Sequence, residues 1–213
     1  PYTRYGSGGF PKEDESSWAW VPWDKATESP APGVKSIGVI VDDEYRFEGI
    51  RRGSLWAYTG DVDVYHCIAE HGKYGHFRSY SIVDCMGGYW GRNAPNWIKA
   101  DSYGRVHIRT DSISRPSNSY VFLEENDPRP ALFDSFVFEK GFMTDPAPAW
   151  GDSLTVRHQG ASSFGFADGH TEFRLWSNET VKIMEDPETV WGTEPQTSGG
   201  KEDINWMIGH WSK

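Results

Sequence analysis

The sequence predicts an α+β domain: a pilin-like N-terminal helix packed on a mainly antiparallel sheet, with long Trp-rich loops. Three observations carry this. A short-turn hairpin signature lies at 162–176, helical spacing follows Asp42 and again Asp203, and the 11 Trp lie mostly among clusters of the 23 Gly and 13 Pro. At 213 residues one core suffices, because all-β domains commonly reach ~200–250 residues. The chain reads as one head over 1–213, with an irregular segment at 1–36 and a core at 37–213. Opening on Pro1, it reads as a processed or trimmed product.

Composition narrows the function. The net charge is −10 and no Lys/Arg cluster interrupts it, so a nucleic-acid partner is not expected. No apolar run reaches the ~18 residues of a membrane span. Aromatic content of 15% argues against wholesale disorder. Two Cys do not make a disulfide-built scaffold.

Along the chain, Pro and Gly punctuate residues 1–36, with Trp18, Trp20 and Trp23 between them. Residues 37–41 lead into a helix capped by Asp42 or Asp43, since a short carboxylate accepts from the first helix N–H groups. Phe47, Ile50, Leu55 and Tyr58 share its face, Gly53 weakens it and Gly60 ends it. Strands are expected at 62–68, with Val62, Val64 and Cys67 inward, and at 77–86, 106–108, 119–125 and 135–139. Residues 87–104 read as loop. Asp168-Gly169 is a two-residue turn signal. Pairing outward from it sets Ala167 against His170, Phe166 against Thr171 and Phe164 against Phe173. Phe164, Phe166, Phe173 and Leu175 then share the buried face. Asn178 caps a short helix through Met184, and Asp203 caps a last one carrying Ile204, Met207, Ile208 and Trp211.

His158 stands ahead of Asp168-Gly169, with Arg157-His158-Gln159-Gly160 and Phe164-Gly165-Phe166-Ala167 around them. With Gly53-Ser54-Leu55-Trp56-Ala57-Tyr58, Tyr65-His66-Cys67, Val121-Phe122-Leu123-Glu124-Glu125 and Asp203-Ile204-Asn205-Trp206, this resembles the prepilin-type, processing-associated bacterial family with a His–nine residues–Asp-Gly motif. That family is similar to the major pseudopilin of type II secretion. The resemblance spans roughly residues 46–210. It departs at Ile68, where the family has Pro, and the Trp segment before residue 37 does not map. It implies a helix-plus-sheet head without catalysis, placed outside the cytoplasm in the periplasm or at the cell surface. The implied precursor is anchored in the inner membrane by a helix upstream of Pro1. Implied partners are other pseudopilin-like subunits, or a secreted protein or glycan.

Several constellations have alternative readings. His158, Asp168 and Gly169 are expected to act structurally, with a buried His158 bracing the turn by hydrogen bonding. Alternatively, His158, Asp168 and His170, a carboxylate with two imidazoles, form a divalent metal site, or His158 and Asp168 centre a metal-dependent hydrolase. Asp145 and Asp152, with the Glu185-Asp186 and Glu202-Asp203 pairs, offer oxygen ligands for Ca2+, a site the resemblance also implies. Trp18, Trp20, Trp23, Trp90, Trp97 and Trp150 are either packing plugs or the stacking platform of a carbohydrate-binding module. Cys67 and Cys85 either bridge neighbouring strands or remain buried thiols. Glu124 and Glu125 are adjacent in a strand, so they face opposite ways and cannot converge on one substrate.

Overall fold

The computed structural model describes residues 18–34, 40–70, 78–83, 85–86, 107, 109–128, 136 and 147–211. It is an α+β protein whose chain divides into two compact units. One unit comprises 1–80 and 127–135, the other 81–126 and 136–213.

The first unit is built on the Trp segment. Strands β1 (Trp23–Asp24) and β2 (Ser29–Pro30) pair antiparallel. Trp20, Val21, Trp23, Ala31, Val34 and Val41 form a buried cluster, with Tyr45 packed on it. Helix α1 (Asp43–Arg51) runs alongside. The single helix expected from 43 to 60 is broken into α1 and α2 (Trp56–Thr59). The cause is close backbone approach. Trp20 N–H donates to Gly49 O (3.0 Å), and Leu55 N–H to Trp18 O (3.4 Å). A Cβ on Gly49 would lie 2.3 Å from Val21 O, and one on Gly53 would lie 2.2 Å from Trp18 O. These two glycines, four apart, admit the Trp segment. Ile50 is buried as expected, whereas Tyr58 points into solvent. Gly60 ends α2 in the left-handed region, φ 62°.

The strand expected at 62–68 is not formed. Val62–Tyr65 is a 3₁₀ turn, started by Asp61, whose carboxylate accepts from Asp63 N–H at 3.0 Å. Such a local side-chain bond competes with strand pairing. Val64 is therefore exposed, while Tyr65 is buried and stacked on Trp18.

From Ser81 onward, the second unit holds a four-stranded sheet in the order β3-β4-β5-β6. The strands are β3 (Tyr80–Ile82), β4 (Tyr120–Glu124), β5 (Ala161–Phe166) and β6 (Thr171–Leu175). β4–β5 and β5–β6 are antiparallel. Of the strands expected at 106–108 and 135–139, His107 and Phe136 are described. They form isolated parallel bridges to Met86 and Val83. The expected loop at 87–104 lies outside the described residues.

The hairpin is present, but its register is one residue from the expected one. Phe164 faces Glu172 and Ser163 faces Phe173. The turn has three residues, not two. Gly169 N–H donates to Phe166 O (3.0 Å), Phe166 N–H donates to His170 O (2.9 Å), and Gly169 has φ 93°. This is a tight turn followed by a left-handed residue, and the extra residue slips the pairing. Phe164 and Phe166 are buried, but Phe173 and Leu175 stand exposed on the opposite face.

Two helices complete this unit. Helix α3 (Asn178–Met184) is capped by Ser177, one residue before the expected cap, through Thr180 N–H. Helix α4 (Ser198–His210) is capped by Thr197, whose hydroxyl accepts from Gly200 N–H. Asp203, expected as that cap, lies mid-helix and buried. It accepts from Arg174 (3.0 Å), Ser177 N–H (2.8 Å) and Thr180 (2.8 Å), so it fastens α4 to the end of β6 and the start of α3. Ile204, Met207 and Trp211 are buried, the last just past the helix end.

Glycine substitutions separate close approach from mere flexibility. Gly49→Ala should destabilise by about 1–3 kcal/mol, because backbone atoms cannot yield cheaply to the new methyl. Gly209→Ala, with nothing within 4 Å of its Cβ, should stabilise α4 by about 0.5–1 kcal/mol. Denaturant unfolding of both variants checks the pair. Equal effects would contradict the close-approach account.

Candidate functional site

The His–nine residues–Asp-Gly motif folds into two separate arrangements. The first surrounds Glu124, the last residue of β4. Its carboxylate is 2% exposed. His158 Nε2 donates to it at 2.9 Å (Oε2) and 3.0 Å (Oε1), and Ser163 Oγ donates to Oε1 at 2.8 Å. The imidazole ring also meets Phe173 edge-on, with centroids 5.6 Å apart. The His158 side chain is 26% exposed. It reaches from the loop before β5 to β4, and does not brace the Asp168 turn as expected. The reason lies in the pairing: Leu123 faces Phe164, which brings the next residue, Glu124, beside Ser163 rather than the hairpin tip.

The loop carrying His158 is pinned at both ends. Thr155 N–H donates to Glu124 O (3.0 Å), and Asn126 N–H to Ser153 O (2.8 Å). Ser162 Oγ donates to Thr155 O, and Trp176 Nε1 donates to Ser162 Oγ at 2.7 Å. Gly160 N–H donates to Val156 O at 3.0 Å. Gln159 and Gly160 take positive φ of 57° and 83°, which turns the chain back into β5. The sharp reversal uses Gly160, because glycine enters the left-handed region at little cost. Arg157 donates to Asn126 Oδ1 at 2.7 Å, adding a second tie next to His158.

The second arrangement is the hairpin tip. Asp168 Oδ1 accepts from His170 N–H (3.2 Å) and lies 2.5 Å from its Nδ1. His170 Nε2 lies 3.3 Å from Glu172 Oε1, and its ring stacks on Phe166 at 4.3 Å. The hydrogen bond from His170 holds the Asp168 carboxyl below its ordinary value. That same bond, reinforced by Glu172, raises His170 above its own. Asp168 and His170, candidate metal ligands by sequence, thus bind each other. Asp152 is half-buried, and Asp145 lies outside the described residues.

Glu124 and Glu125 face apart as the alternation requires. Glu125 takes a hydrogen bond from Ser81, and Glu124 takes those of His158 and Ser163. The Trp platform is not formed by the residues that are described. Trp18, Trp20, Trp23 and Trp150 are all buried. Arg52 lies over the rings of Trp20 (5.6 Å) and Trp23 (5.3 Å) and ion-pairs with Glu28 and Glu48. Arg78 lies 4.4 Å over Trp18, and Trp150 meets Trp176 edge-on. Flat apolar rings with few polar atoms fill these loop-rich interiors more readily than they would stay wet. Trp90 and Trp97 lie outside the described residues. Trp191, which the sequence reading passed over, is 58% exposed.

Cys67 and Cys85 are buried thiols, so the expected bridge is not formed. Its premise was a pair of neighbouring strands, and residues 62–65 are a 3₁₀ turn instead. Among the described residues, no helix is long and apolar enough to cross a membrane. The chain matches no family model, no curated protein and no solved structure.

Glu124 and Ser163 were missed as partners of His158. Their signal was available in part. Glu124 ends a strand that is legible in the sequence, and a carboxylate that a strand carries into the interior demands a donor.

The hairpin tip has a pH signature. Because His170 is raised, its contribution is complete below the ordinary value of 6.5 and is lost as pH rises through the folded value. Because Asp168 is lowered, its contribution is complete above 3.8 and is lost as pH falls through its folded value. The pair is therefore intact throughout the window between 3.8 and 6.5. An NMR titration of the His170 ring should give a midpoint above 6.5, returning toward it in Asp168→Ala. A midpoint unmoved by that substitution would contradict the pairing.

Proposed function

We propose that the chain is a structural and interaction domain without catalysis, resembling the extracytoplasmic head of a pseudopilin-like protein. In this reading its His–nine residues–Asp-Gly motif is a folding device. The observation that carries it is the engagement of His158 with the buried Glu124 carboxylate, closed by Ser163. A nucleophilic or hydrolytic role would require His158 and Asp168 to converge on one substrate. Here Asp168 bonds His170 at the tip of the hairpin, while His158 acts beside Ser163. Phe166 is three residues on from Ser163, about 10 Å along β5.

The α+β class and the antiparallel β4–β5–β6 sheet agree with what the resemblance implies. Within the motif, the two halves act separately rather than together as expected. Asp-Gly shapes a turn through one left-handed glycine, and His fastens the loop that leads into the same hairpin. Placement outside the cytoplasm and association with like subunits or secreted molecules follow from the resemblance. The burial of Trp18, Trp20, Trp23 and Trp150 turns these rings from a sugar platform into core.

His158→Ala is the direct test. It removes a donor from a buried carboxylate and should lower stability by about 1–3 kcal/mol, without loss of a stoichiometric metal. Melting temperature and bound-metal content of wild type and variant are the two measurements. An unchanged melt together with complete loss of a stoichiometric divalent ion would overturn the structural reading in favour of a metal centre.

A further inference from the structure

β6 is the outer strand of the β3-β4-β5-β6 sheet, and among the described residues no strand pairs with its free edge. Natural edges are usually blunted by Pro, Lys, a bulge or an inward charge. Thr171-Glu172-Phe173-Arg174-Leu175 has no Pro and no Lys and pairs with β5 without a register shift; its only such device is the pair of charges Glu172 and Arg174 on the face of Phe164. It also exposes two large apolar side chains, Phe173 at 71% and Leu175 at 68%.

The direction of its backbone groups is fixed by the hairpin. His170 O accepts from Phe166 N–H, and Trp176 N–H donates to Gly160 O. Antiparallel pairing alternates bonded and non-bonded residues. The even-numbered residues of β6 therefore turn their N–H and C=O toward β5. Thr171, Phe173 and Leu175 turn theirs outward, to the free edge.

That outward set is self-complementary. Suppose a second β6 approaches antiparallel, with a two-fold axis at Phe173. Phe173 then faces Phe173 of the other copy as a hydrogen-bonded pair. Thr171 faces Leu175 in the same bonded class, at both ends. Glu172 faces Arg174 in the non-bonded class, where side chains come closest. Opposite charges thus meet opposite charges twice, and the exposed apolar side chains come together on one face. A two-fold interface requires this matching of one patch to itself. Arg174 already ion-pairs with Asp203 through Nη2 at 3.0 Å. Its five-donor fork can take a second carboxylate. Glu172 is exposed, held only at 3.3 Å by His170.

We infer that the chain associates with a second copy of itself by antiparallel β6–β6 pairing, which continues the sheet across a two-fold axis centred on Phe173. The inference goes beyond the folding role of His158 and rests on the outward backbone groups of β6, although the Phe173 ring also meets His158 edge-on. Five residues span only about 17 Å, so the contact is smaller than a standard interface of ~1,200–2,000 Å². Association is therefore weak and concentration-dependent.

Sedimentation equilibrium of the full chain over a range of concentrations tests this, with two variants. Glu172→Lys sets a lysine against Arg174 at both ends of the ribbon. Phe173→Pro removes an outward N–H that no described strand of the chain uses, a substitution edge strands tolerate. The wild-type mass should rise with concentration toward that of two chains. Glu172→Lys should weaken association at least about tenfold, the factor that ~1.4 kcal/mol represents, while melting like wild type. Phe173→Pro should abolish it. A wild type that stays monomeric throughout would overturn the inference and leave this edge to a strand of an unlike partner. A dimer unaffected by both variants would overturn it as well. Neither result touches the His158 reading, which is judged by the melt and metal content of His158→Ala.

Discussion

A carboxylate that is 2% exposed, Glu124, constrains the second unit. An ionised carboxylate taken out of water without partners costs several kcal/mol. The fold can bury Glu124 only where donors converge. His158 and Ser163 supply them, one from the loop before β5 and one from β5 itself. Meeting that demand fixes the path of the chain between Thr155 and Ser162, including the left-handed pair Gln159–Gly160. The start of β5, and with it the hairpin, follows from there. The same solution recurs at Asp203, a buried carboxylate satisfied by Arg174, Ser177 and Thr180. One clasp joins β4 to the hairpin, and the other joins the hairpin to α3 and α4. Both are side-chain ties between elements distant in sequence.

This pattern explains what could be read from the sequence. Local signals were legible: the Asp168-Gly169 turn, the β4 strand, the left-handed Gly60, and the existence of α3 and α4. Each depends on neighbours within a few residues. The errors arose where a single extra residue or a distant partner decides. The turn took three residues instead of two, and this put Phe173 and Leu175 on the exposed face. Asp203 has the chemistry of a cap, but Thr197 starts the helix a turn and a half earlier and leaves the carboxylate free to tie three elements. Asp61 stabilised a 3₁₀ turn where alternation suggested a strand.

The candidate site was legible in its residues but not in its partners. His158 and Asp168 stand out in the chain because of the motif, yet nothing local shows that one reaches β4 while the other bonds its neighbour His170. Glu124 was considered only with Glu125, and the strand alternation separated them correctly. The Trp residues illustrate a related limit. Loop-like surroundings left both packing plugs and a platform open; the rings are packed, and what could not be read is that Gly49 and Gly53 clear a path for the Trp18–Val21 backbone, which carries Trp20 into a buried cluster with Trp23. Close approach of one backbone to another is invisible until the two segments are known to meet.

The account's central claim is that Glu124 and His158 stabilise the fold as a pair. A double-mutant cycle measures that directly, with Glu124→Gln, His158→Gln and the double variant compared by denaturant unfolding. Residues sharing one hydrogen-bond network show coupling of about 0.5–3 kcal/mol. The account predicts a favourable coupling of at least about 1 kcal/mol, each single change costing more than its share of the double. Additive effects, with coupling near zero, would contradict it.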